Sequence, residues 1–369
     1  MGDNTLDAAV SGQAWDEFCD TLKGAGRLII DNSTDDLDRI EGFRYLSRLT
    51  RGGLQSFIEA NDRTFPRVLA IPEQLKIGCD NPDAYYLNVN VDSRHIYRIS
   101  GTRGSVNYLG IGAYSGGYGV GASTPGRQGY IEDNDPEPDR PVSIVASVAE
   151  PTSLAAGEQW LRMEPETSVI ILRNFYLDRT SETPADLQIE CLDPPAPDPG
   201  PLTAQHLVNG LAMAGLFVHG VADRFVGWVN DYFLDRPNTL DFLPAQDHAG
   251  GWGDPNQLFR HGYWTLGPGE ALVIDVPAID AYYWNFQLNN LWEESLDYRY
   301  LQVTVNKHTA RYQPDGSARI IVADDDPGFG NWIHTGYHHH GTMGLRYNQV
   351  VTDLAPACTV VAVDDLTPE

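Results

Sequence analysis

The sequence predicts a mainly β protein with helical additions, built from antiparallel β-sandwich or jelly-roll units with a helical N-terminal segment and a central helix. Two observations predict this class. Short β-branched or aromatic runs bounded by turns follow one another between about residues 80 and 195, and again from residue 261. Because these runs do not alternate with helices, they argue against a doubly wound parallel sheet.

Three segments carry apolar residues at helical spacing. Residues 12–26 are predicted to form a helix that two glycines stop, and residues 34–62 a second helix with Thr34 as N-cap. Acidic residues in the first turn of the second helix favour the positive end of its dipole. Residues 203–233 are predicted to form the central helix.

Two groups of strands are predicted from period-two alternation and turn residues. The first group comprises residues 95–99, 105–114, 141–148, 168–177 and 187–192. The second group comprises residues 263–266, 271–277, 281–290, 301–307 and 318–324.

These elements predict four consecutive regions. They are a helical cap over 1–75, a first β-sandwich region over 76–195, a linker with a helical insertion over 196–257, and a jelly-roll-like region over 258–369. The glycine-rich segment 116–129 lacks the P-loop pattern and is predicted to be a rim loop.

Charge and composition limit the classes of partner. The formal net charge of −26 repels nucleic acid and anionic membranes, and no segment approaches the length of a membrane span. The start of the chain lacks the pattern of a signal peptide, so a soluble cytoplasmic protein is expected. The four cysteines form no CxxC pair, which argues against a zinc finger, and no dinucleotide fingerprint is present. We therefore expect neither an organic cofactor nor a metal.

Two decamers echo each other, AYYLNVNVDS at 84–93 and AYYWNFQLNN at 281–290. Their alternation predicts strands with one apolar and one polar face. In the second decamer the predicted polar face is a row of one phenol and three amides, Tyr283, Asn285, Gln287 and Asn289. Such a row suits a polar ligand. Because the echoes around the decamers run in opposite order, shared β-hairpin composition is favoured over a true duplication.

The second decamer runs into a carboxylate cluster, Glu293, Glu294 and Asp297, with Arg299 nearby. Carboxylates at a cleft can take acid and base roles when burial raises the pKa of one of them. The competing interpretation is a solvated, ion-paired turn at the end of a strand.

A histidine run, His338, His339 and His340, follows the acidic residues at 324–326. Adjacent side chains of an extended chain point to opposite faces, so only His338 and His340 could share a metal ion. Three interpretations stay open: a metal site, one histidine acting in hydrogen bonding or acid–base chemistry, and a structural or surface role.

Several stretches resemble a bacterial family known as domain of unknown function 1214. The C-terminal ones are GYWTLGPGEALVIDV, YYWNFQLNNLWEESLDYR, NKHTARYQPDGSARIIVADDDPG and NWIHTGYHHHGTM, and the upstream ones are RIEGFRYLSRLTR, KIGCDNPDAYYLNVNVD and YRISGTRGSV. The resemblance implies a β-rich, jelly-roll-like fold and no established reaction. The family's histidine run usually reads His-Arg-Arg, so only His338 lies on a family histidine.

The alternation, the carboxylate cluster and the resemblance together give the candidate site. The candidate catalytic residues are His338, Asp297 and Glu294. The candidate substrate-binding residues are Tyr283, Asn285, Gln287, Asn289, Trp292, Tyr298 and Trp332.

The candidate site favours an enzyme over a non-catalytic binding protein. We expect a lyase, isomerase or hydrolase that uses acid–base chemistry on a neutral, partly apolar small molecule, such as a terpenoid, steroid or sugar derivative. One alternative is a non-catalytic β-sandwich that binds a carbohydrate or lipid, and a further alternative is a metal-dependent jelly-roll enzyme. Association into a homo-oligomer stays open.

Overall fold

The computed structural model describes residues 2–71, 75–117, 129–135, 137–244, 253–350 and 355–366. The chain forms two compact units. The first comprises Met1–Asn32, Arg39–Leu75 and Ala84–Asp223, and the second comprises Ser33–Asp38, Lys76–Asp83 and Arg224–Glu369. Ser33–Asp38 and Lys76–Asp83 therefore belong to the second unit, although they come early in the sequence. The four predicted regions are consecutive in the sequence and do not include this exchange. Residues 118–128 of the predicted rim loop lie outside the described residues.

The predicted N-terminal helices and central helix are confirmed. An additional helix that was not predicted, α1 (Gly2–Val10), precedes them. The predicted helices are α2 (Gln13–Asn32), α3 (Asp36–Leu54) and α4 (Ala204–Trp228), and π-helical turns at Gln55–Glu59 and Val229–Phe233 follow α3 and α4. The prediction that glycines stop the first helix was wrong, because α2 continues through Gly24 and Gly26. Ala25 and Ile29 are buried there, and this packing outweighs the low helix propensity of glycine. No helix among the described residues has both the length and the apolar character needed to span a bilayer.

The first unit contains a β-sandwich. Its strands are β1 (Leu69–Ala70), β2 (Ala84–Asn90), β3 (Tyr97–Thr102), β4 (Tyr108–Ser115), β5 (Tyr130–Asp133), β6 (Pro141–Ser147), β7 (Gln159–Arg162), β8 (Thr167–Phe175) and β9 (Asp186–Cys191). They form two sheets, β1-β2-β8-β4-β5 and β7-β6-β3-β9. Apolar side chains of both sheets share one buried core, for example Val89 of one sheet and Ile99 of the other.

The second unit contains another β-sandwich. Its strands are β10 (Asp241–Phe242), β11 (Gln257–Thr265), β12 (Glu270–Val276), β13 (Tyr283–Leu288), β14 (Thr304–Asn306), β15 (Ala318–Ala323), β16 (Trp332–His334), β17 (His340–Asn348) and β18 (Ala357–Ala362). Its sheets are β10-β11-β17-β13-β14 and β16-β15-β12-β18. Trp264, Phe286 and Ile320 lie in the common core of both sheets.

The two sandwiches have the same strand order. Adding nine to each strand number of the first unit gives the sheets of the second, and the parallel pair β6–β7 has its counterpart in the parallel pair β15–β16. In the sequence, a long helix with a π-helical turn precedes each set of nine strands. The topology therefore repeats, which the sequence interpretation did not favour. The two decamers lie in β2 and β13, which are not equivalent strands, because β2 corresponds to β11.

The predicted alternation in β13 is confirmed, since Trp284, Phe286 and Leu288 enter the core. Its register with β17 and β11 extends the opposite face across three strands. We call this surface the polar face. It consists of Tyr283, Asn285 and Gln287 on β13, of His340, Thr342, Gly344, Arg346 and Asn348 on β17, and of Gln257, Phe259, His261 and Tyr263 on β11.

The central strand of this sheet, β17, is missing from the predicted strands. Its glycines obscure the strand pattern but are needed for close packing. A Cβ atom at Gly341 would lie 2.3 Å from the carbonyl oxygen of Asn289, and one at Gly344 would lie 2.6 Å from the ring of Phe259.

Candidate functional site

Residues 79–83 are hydrogen-bonded along the β13 part of the polar face. Asn285 Nδ2 donates to Asn81 Oδ1 at 2.8 Å, and Gln287 Nε2 donates to the carbonyl oxygen of Asp80 at 2.7 Å. Both amides are fully buried. Their hydrogen-bonding capacity is therefore used within the protein, as buried polar groups require.

The other two predicted binding side chains of this row are also internal. The Tyr283 hydroxyl donates to Asp83 Oδ2 at 2.8 Å, and Asn289 Nδ2 donates to Cys79 Sγ at 2.9 Å. Neither side chain is exposed to solvent. The predicted ligand-binding row is thus a buried network in this conformation, because the segment 79–83 covers it.

Arg346 is the buried cation of this network. Its Nη2 donates to the carbonyl oxygen of Cys79 at 2.6 Å, and its Nη1 donates to Asn285 Oδ1 at 3.3 Å and to Gln287 Oε1. The guanidinium carbon lies 4.1 Å from the centroid of the Phe259 ring, within the range of a cation–π interaction.

Glu293 is a fully buried acid beside this network. Neither of its carboxyl oxygens has a hydrogen-bond partner among the described residues, and burial raises its pKa to about 8. Its carbonyl oxygen accepts the backbone N–H of Cys79 at 2.7 Å. Both residues have a φ of +56°, in the left-handed region that non-glycine residues seldom adopt.

The Cys79 thiol is not an activated nucleophile. Burial is the main cause that raises its pKa, to about 12. A nucleophilic cysteine needs the opposite shift, toward the thiolate.

Two of the three predicted catalytic residues have structural partners. Asp297 receives hydrogen bonds from Arg299 Nε at 2.9 Å and Nη2 at 2.8 Å, and both side chains are 44% exposed. The Arg299 hydrogen bond holds the Asp297 pKa below its usual range. Glu294 is buried and accepts a hydrogen bond from Asn290 Nδ2 at 3.0 Å. The ion-paired turn therefore describes Asp297 better than an acid–base role.

Trp332 does not share a face with the predicted binding row. Its neighbour Ile333 enters the core of the sandwich, so Trp332 lies on the outer side of the other sheet. There its indole N–H donates to the carbonyl oxygen of Ala323 at 2.9 Å. The alternation of β16 thus separates Trp332 from the polar face.

The remaining three candidates, Trp292, Tyr298 and His338, also lie in the second unit. The Trp292 indole N–H donates to the carbonyl oxygen of Asp38 at 2.8 Å, and the Lys76 ammonium lies 5.1 Å from the Tyr298 ring centroid. His338 is buried just before β17, and its charge opposes the protonation of His340. Trp292, through its contact with Asp38, and His338, through its effect on His340, therefore belong to the His340 end of the polar face.

At this end, His340 contacts a buried carboxylate. His340 Nε2 lies 3.1 Å from Asp38 Oδ2 and 3.1 Å from Thr34 Oγ1. The Thr34 hydroxyl in turn donates to Asp38 Oδ2 at 2.6 Å. Asp38 is 2% exposed, whereas the His340 side chain retains 15% exposure. The imidazole is therefore the part of this pair that solvent reaches.

The start of α3 fixes Asp38 in place. Asp35 Oδ1 accepts the backbone N–H of Asp38 at 2.8 Å, as the side chain of an N-cap residue does. The Asp38 carboxylate accepts the backbone N–H of Thr34 at 2.9 Å, which closes the turn before the helix. The helix dipole also favours a negative charge in this first turn.

Tyr263 on β11 completes the cluster. Its ring stacks on the His340 imidazole with a centroid distance of 5.9 Å and an interplanar angle of 24°. Burial is the main cause that raises the Tyr263 pKa to about 12, and the charges of Asp38 and Asp35 add to it. The phenol therefore keeps its proton at neutral pH and can donate a hydrogen bond.

The pair has the electrostatics of a preformed ion pair. The Asp38 hydrogen bond raises the His340 pKa above 6.5, against the effect of burial. Burial alone would raise the Asp38 pKa, but the hydrogen bonds from His340 and Thr34 outweigh it and lower that pKa.

His340→Gln should lower the free energy of unfolding more at about pH 6 than at about pH 9, by about 1 kcal/mol. Because the folded-state pKa of His340 is raised, its stabilisation is complete below the unfolded-state pKa of 6.5 and is lost as pH rises through the folded value. Urea unfolding at both pH values measures the difference. His339→Gln, at the exposed neighbour, is the control and should have the same small effect at both pH values.

Two groups of potential metal ligands have all their ligand atoms within 4.8 Å of one another in the described part of the chain. They are Asp35, Asp38 and His340 in the second unit, and His95, Cys191 and Asp193 in the first. Neither group includes His338. In the first group, the helix start already uses Asp35 Oδ1 and Asp38 Oδ2 as hydrogen-bond acceptors.

The sequence interpretation missed Asp38 and Tyr263 as members of the site. Asp38 is some 300 residues from His340 in the sequence, and no local pattern links them. A usable pattern did exist in β17, where Thr342, Arg346 and Asn348 alternate with apolar residues. That pattern would have placed His340 on the same face as the β13 amides.

No family model and no curated protein matches the sequence, so the resemblance to family 1214 stays a prediction. Among solved structures, the VPA0106 protein from Vibrio parahaemolyticus shares the fold at 12% identity and a TM-score of 0.51, over 86% of this chain and 98% of that chain. An uncharacterized protein from Burkholderia cenocepacia is 39% identical, with a TM-score of 0.90 over 97% of this chain and 99% of that chain. At this identity and coverage, the chain belongs to the same family as the Burkholderia cenocepacia protein.

Proposed function

We propose that the protein is an enzyme that uses acid–base chemistry, without an organic cofactor, on a neutral and partly apolar small molecule. His340 exchanges the proton, Asp38 orients the imidazole and stabilises its charged form, and Tyr263 donates a hydrogen bond to the substrate. One observation supports this most: a partly exposed imidazole contacts a buried, ionised carboxylate beside a protonated phenol. This replaces the predicted roles of Asp297 and Glu294, whose carboxylates have structural partners.

The two imidazole nitrogens have different roles in this proposal. Nε2 contacts Asp38 and Thr34, whereas Nδ1 has no hydrogen-bond partner among the described residues. In the neutral imidazole, with the Nε2–H directed at Asp38, Nδ1 is the atom that accepts a proton from the substrate. Asp38 stabilises the imidazolium that forms, and Nδ1 then returns the proton to another substrate atom. Return to carbon gives an isomerisation, and return to a departing oxygen gives an elimination. In both reactions the protein ends in its starting protonation state.

The substrate class follows from charge and shape. The net charge of −26 and the exposed Asp35 beside the imidazole disfavour an anionic substrate. The partly exposed His340 imidazole lies next to the Tyr263 ring, which is 8% exposed, so an apolar ring and polar atoms come together at this position. A neutral compound that bears a hydroxyl or carbonyl group on an apolar skeleton fits both conditions.

Deuterium exchange tests the proposal without a known substrate. Wild-type protein is incubated in deuterium oxide with a panel of neutral ketones, lactones, glycosides and terpenoid alcohols, and mass spectrometry detects deuterium uptake or product. For any compound that reacts, His340→Gln should lower the rate about a hundredfold, because a general acid–base group is lost. His339→Gln should keep the wild-type rate.

Two outcomes would contradict this proposal. An unchanged rate in His340→Gln would remove His340 from the chemistry. Saturable binding of panel compounds with neither exchange nor product would favour the non-catalytic binding protein.

A further inference from the structure

We propose that His95, Cys191 and Asp193 form a binding site for Zn²⁺, or for a divalent metal with similar ligand preferences, in the first unit. This site is independent of the proposed reaction at His340. It is a different set of residues, and its test does not depend on any substrate.

The pairing of β3 with β9 brings the three residues together. Tyr97 of β3 is the register partner of Cys191, the last residue of β9. His95 therefore comes just before one strand, and Asp193 just after the other, at the same end of the sheet. The backbone N–H of Ile96 donates to Asp193 Oδ1 at 2.9 Å, which holds this carboxylate at the strand end.

The distances suit a tetrahedral ion. His95 Nδ1 lies 3.4 Å from Asp193 Oδ1, and Cys191 Sγ lies 3.4 Å from the same oxygen. All three ligand atoms lie within 4.8 Å of one another. Zinc bonds of about 2.0–2.3 Å in a tetrahedron place ligand atoms about 3.3–3.8 Å apart. Small side-chain adjustments would therefore bring the three atoms to one ion.

The donor set also indicates the metal. One imidazole nitrogen, one sulfur and one carboxylate oxygen are the ligand types that zinc accepts, and the sulfur disfavours magnesium and calcium. His95 Nδ1 is inaccessible to solvent and has no hydrogen-bond partner among the described residues, despite its contact with Asp193. A bound ion would satisfy this nitrogen.

The site is reachable from solvent. The Asp193 side chain is 46% exposed and that of His95 is 19% exposed. With three protein ligands, water would take the fourth position of a tetrahedral ion. Such a site can exchange its metal without unfolding of the sandwich, so it can be loaded in the purified protein.

Cobalt titration of the metal-stripped full chain tests this site. Co²⁺ replaces Zn²⁺ and gives a thiolate-to-metal charge-transfer band in the near ultraviolet only when sulfur is a ligand. We expect one equivalent of Co²⁺ to produce this band and Zn²⁺ to abolish it. Cys191→Ser should remove the band, and His95→Gln and Asp193→Asn should weaken cobalt binding at least tenfold.

Matched variants separate this site from others. Cys19→Ser, at another partly buried cysteine, should keep the band. His340→Gln should keep it too, because Asp35, Asp38 and His340 contain no sulfur. Absence of the band in the wild type, or its survival in Cys191→Ser, would overturn the proposal.

A measurement on the wild type avoids any folding defect of the variants. Iodoacetamide alkylation of Cys191 and Cys19 is followed by peptide mass spectrometry with and without one equivalent of Zn²⁺. Zinc should slow the alkylation of Cys191 at least tenfold and leave that of Cys19 unchanged. Equal rates at Cys191 with and without zinc would reject the site.

Discussion

Glu293→Gln should remove a large part of the pH dependence of stability between about pH 4.5 and pH 8. The unfolded chain ionises this glutamate near 4.5, whereas burial keeps it protonated in the folded chain up to about 8. Within this window the unfolded state binds fewer protons, so the free energy of unfolding of the wild type falls as pH rises. Glutamine is neutral in both states, so it contributes no pH dependence to the free energy of unfolding.

The expected effect is large for a single substitution. The slope is about 1.4 kcal/mol per pH unit, which amounts to about 5 kcal/mol across the window. Urea unfolding at several pH values should therefore show a variant close to the wild type at about pH 4.5 and clearly more stable at about pH 8. Glu17→Gln removes the same charge at an exposed position and should leave the slope unchanged. Equal slopes for Glu293→Gln and the wild type would show that this carboxyl is ionised in the folded protein.

The architecture was predictable because its strands are amphipathic and separated by turns. The apolar residues Trp284, Phe286 and Leu288 recur with period two, and they enter the core as that period requires. The helical parts were predictable for the same reason, with apolar side chains at helical spacing. The ends of the helices were less predictable, because α2 continues through two glycines where buried neighbours stabilise it.

The two sets of nine strands share the order in which the strands pair within their sheets, and this order is not visible in the local sequence. The two decamers look alike because both are half-polar strands, yet β2 and β13 occupy different positions in their sheets. Strand order depends on contacts between residues far apart in the chain. A search for repeated sequence therefore finds similar strands without finding equivalent ones.

The predicted binding row and the proposed site at His340 lie on the same sheet face, at different ends. A row of amides looks the same in sequence whether it binds a ligand or the protein's own backbone. The deciding residues are in 79–83, some 200 residues before Asn285, and they occupy the hydrogen-bonding groups of the row. Asp38 is equally remote from His340. Only the folded chain shows which polar groups are used internally and which stay open.

Arg346 shows how much stability the covered part of the polar face contributes, and Arg346→Met should lower the free energy of unfolding by about 3–5 kcal/mol. Arg346 is 2% exposed, and its guanidinium donates to the carbonyl oxygen of Cys79 and to the amide oxygens of Asn285 and Gln287. Methionine has a similar length but cannot donate. The substitution would therefore leave three buried acceptors without this donor.

The matched control is Arg319→Met. Arg319 Nε donates to Asp275 Oδ1 at 2.7 Å, but both side chains are more than 40% exposed, so we expect a loss below about 1 kcal/mol. Arg346→Lys should lose less than Arg346→Met, because an ammonium group keeps the charge but cannot reproduce the planar fork. Chemical unfolding of the three variants at neutral pH measures these losses. If Arg346→Met lost no more than Arg319→Met, the segment 79–83 would not depend on the guanidinium, and ligand access to the β13 amides would again be open. A loss of the expected size would mean that a ligand reaches those amides only by displacing a bonded segment, which leaves His340 as the accessible end of the face.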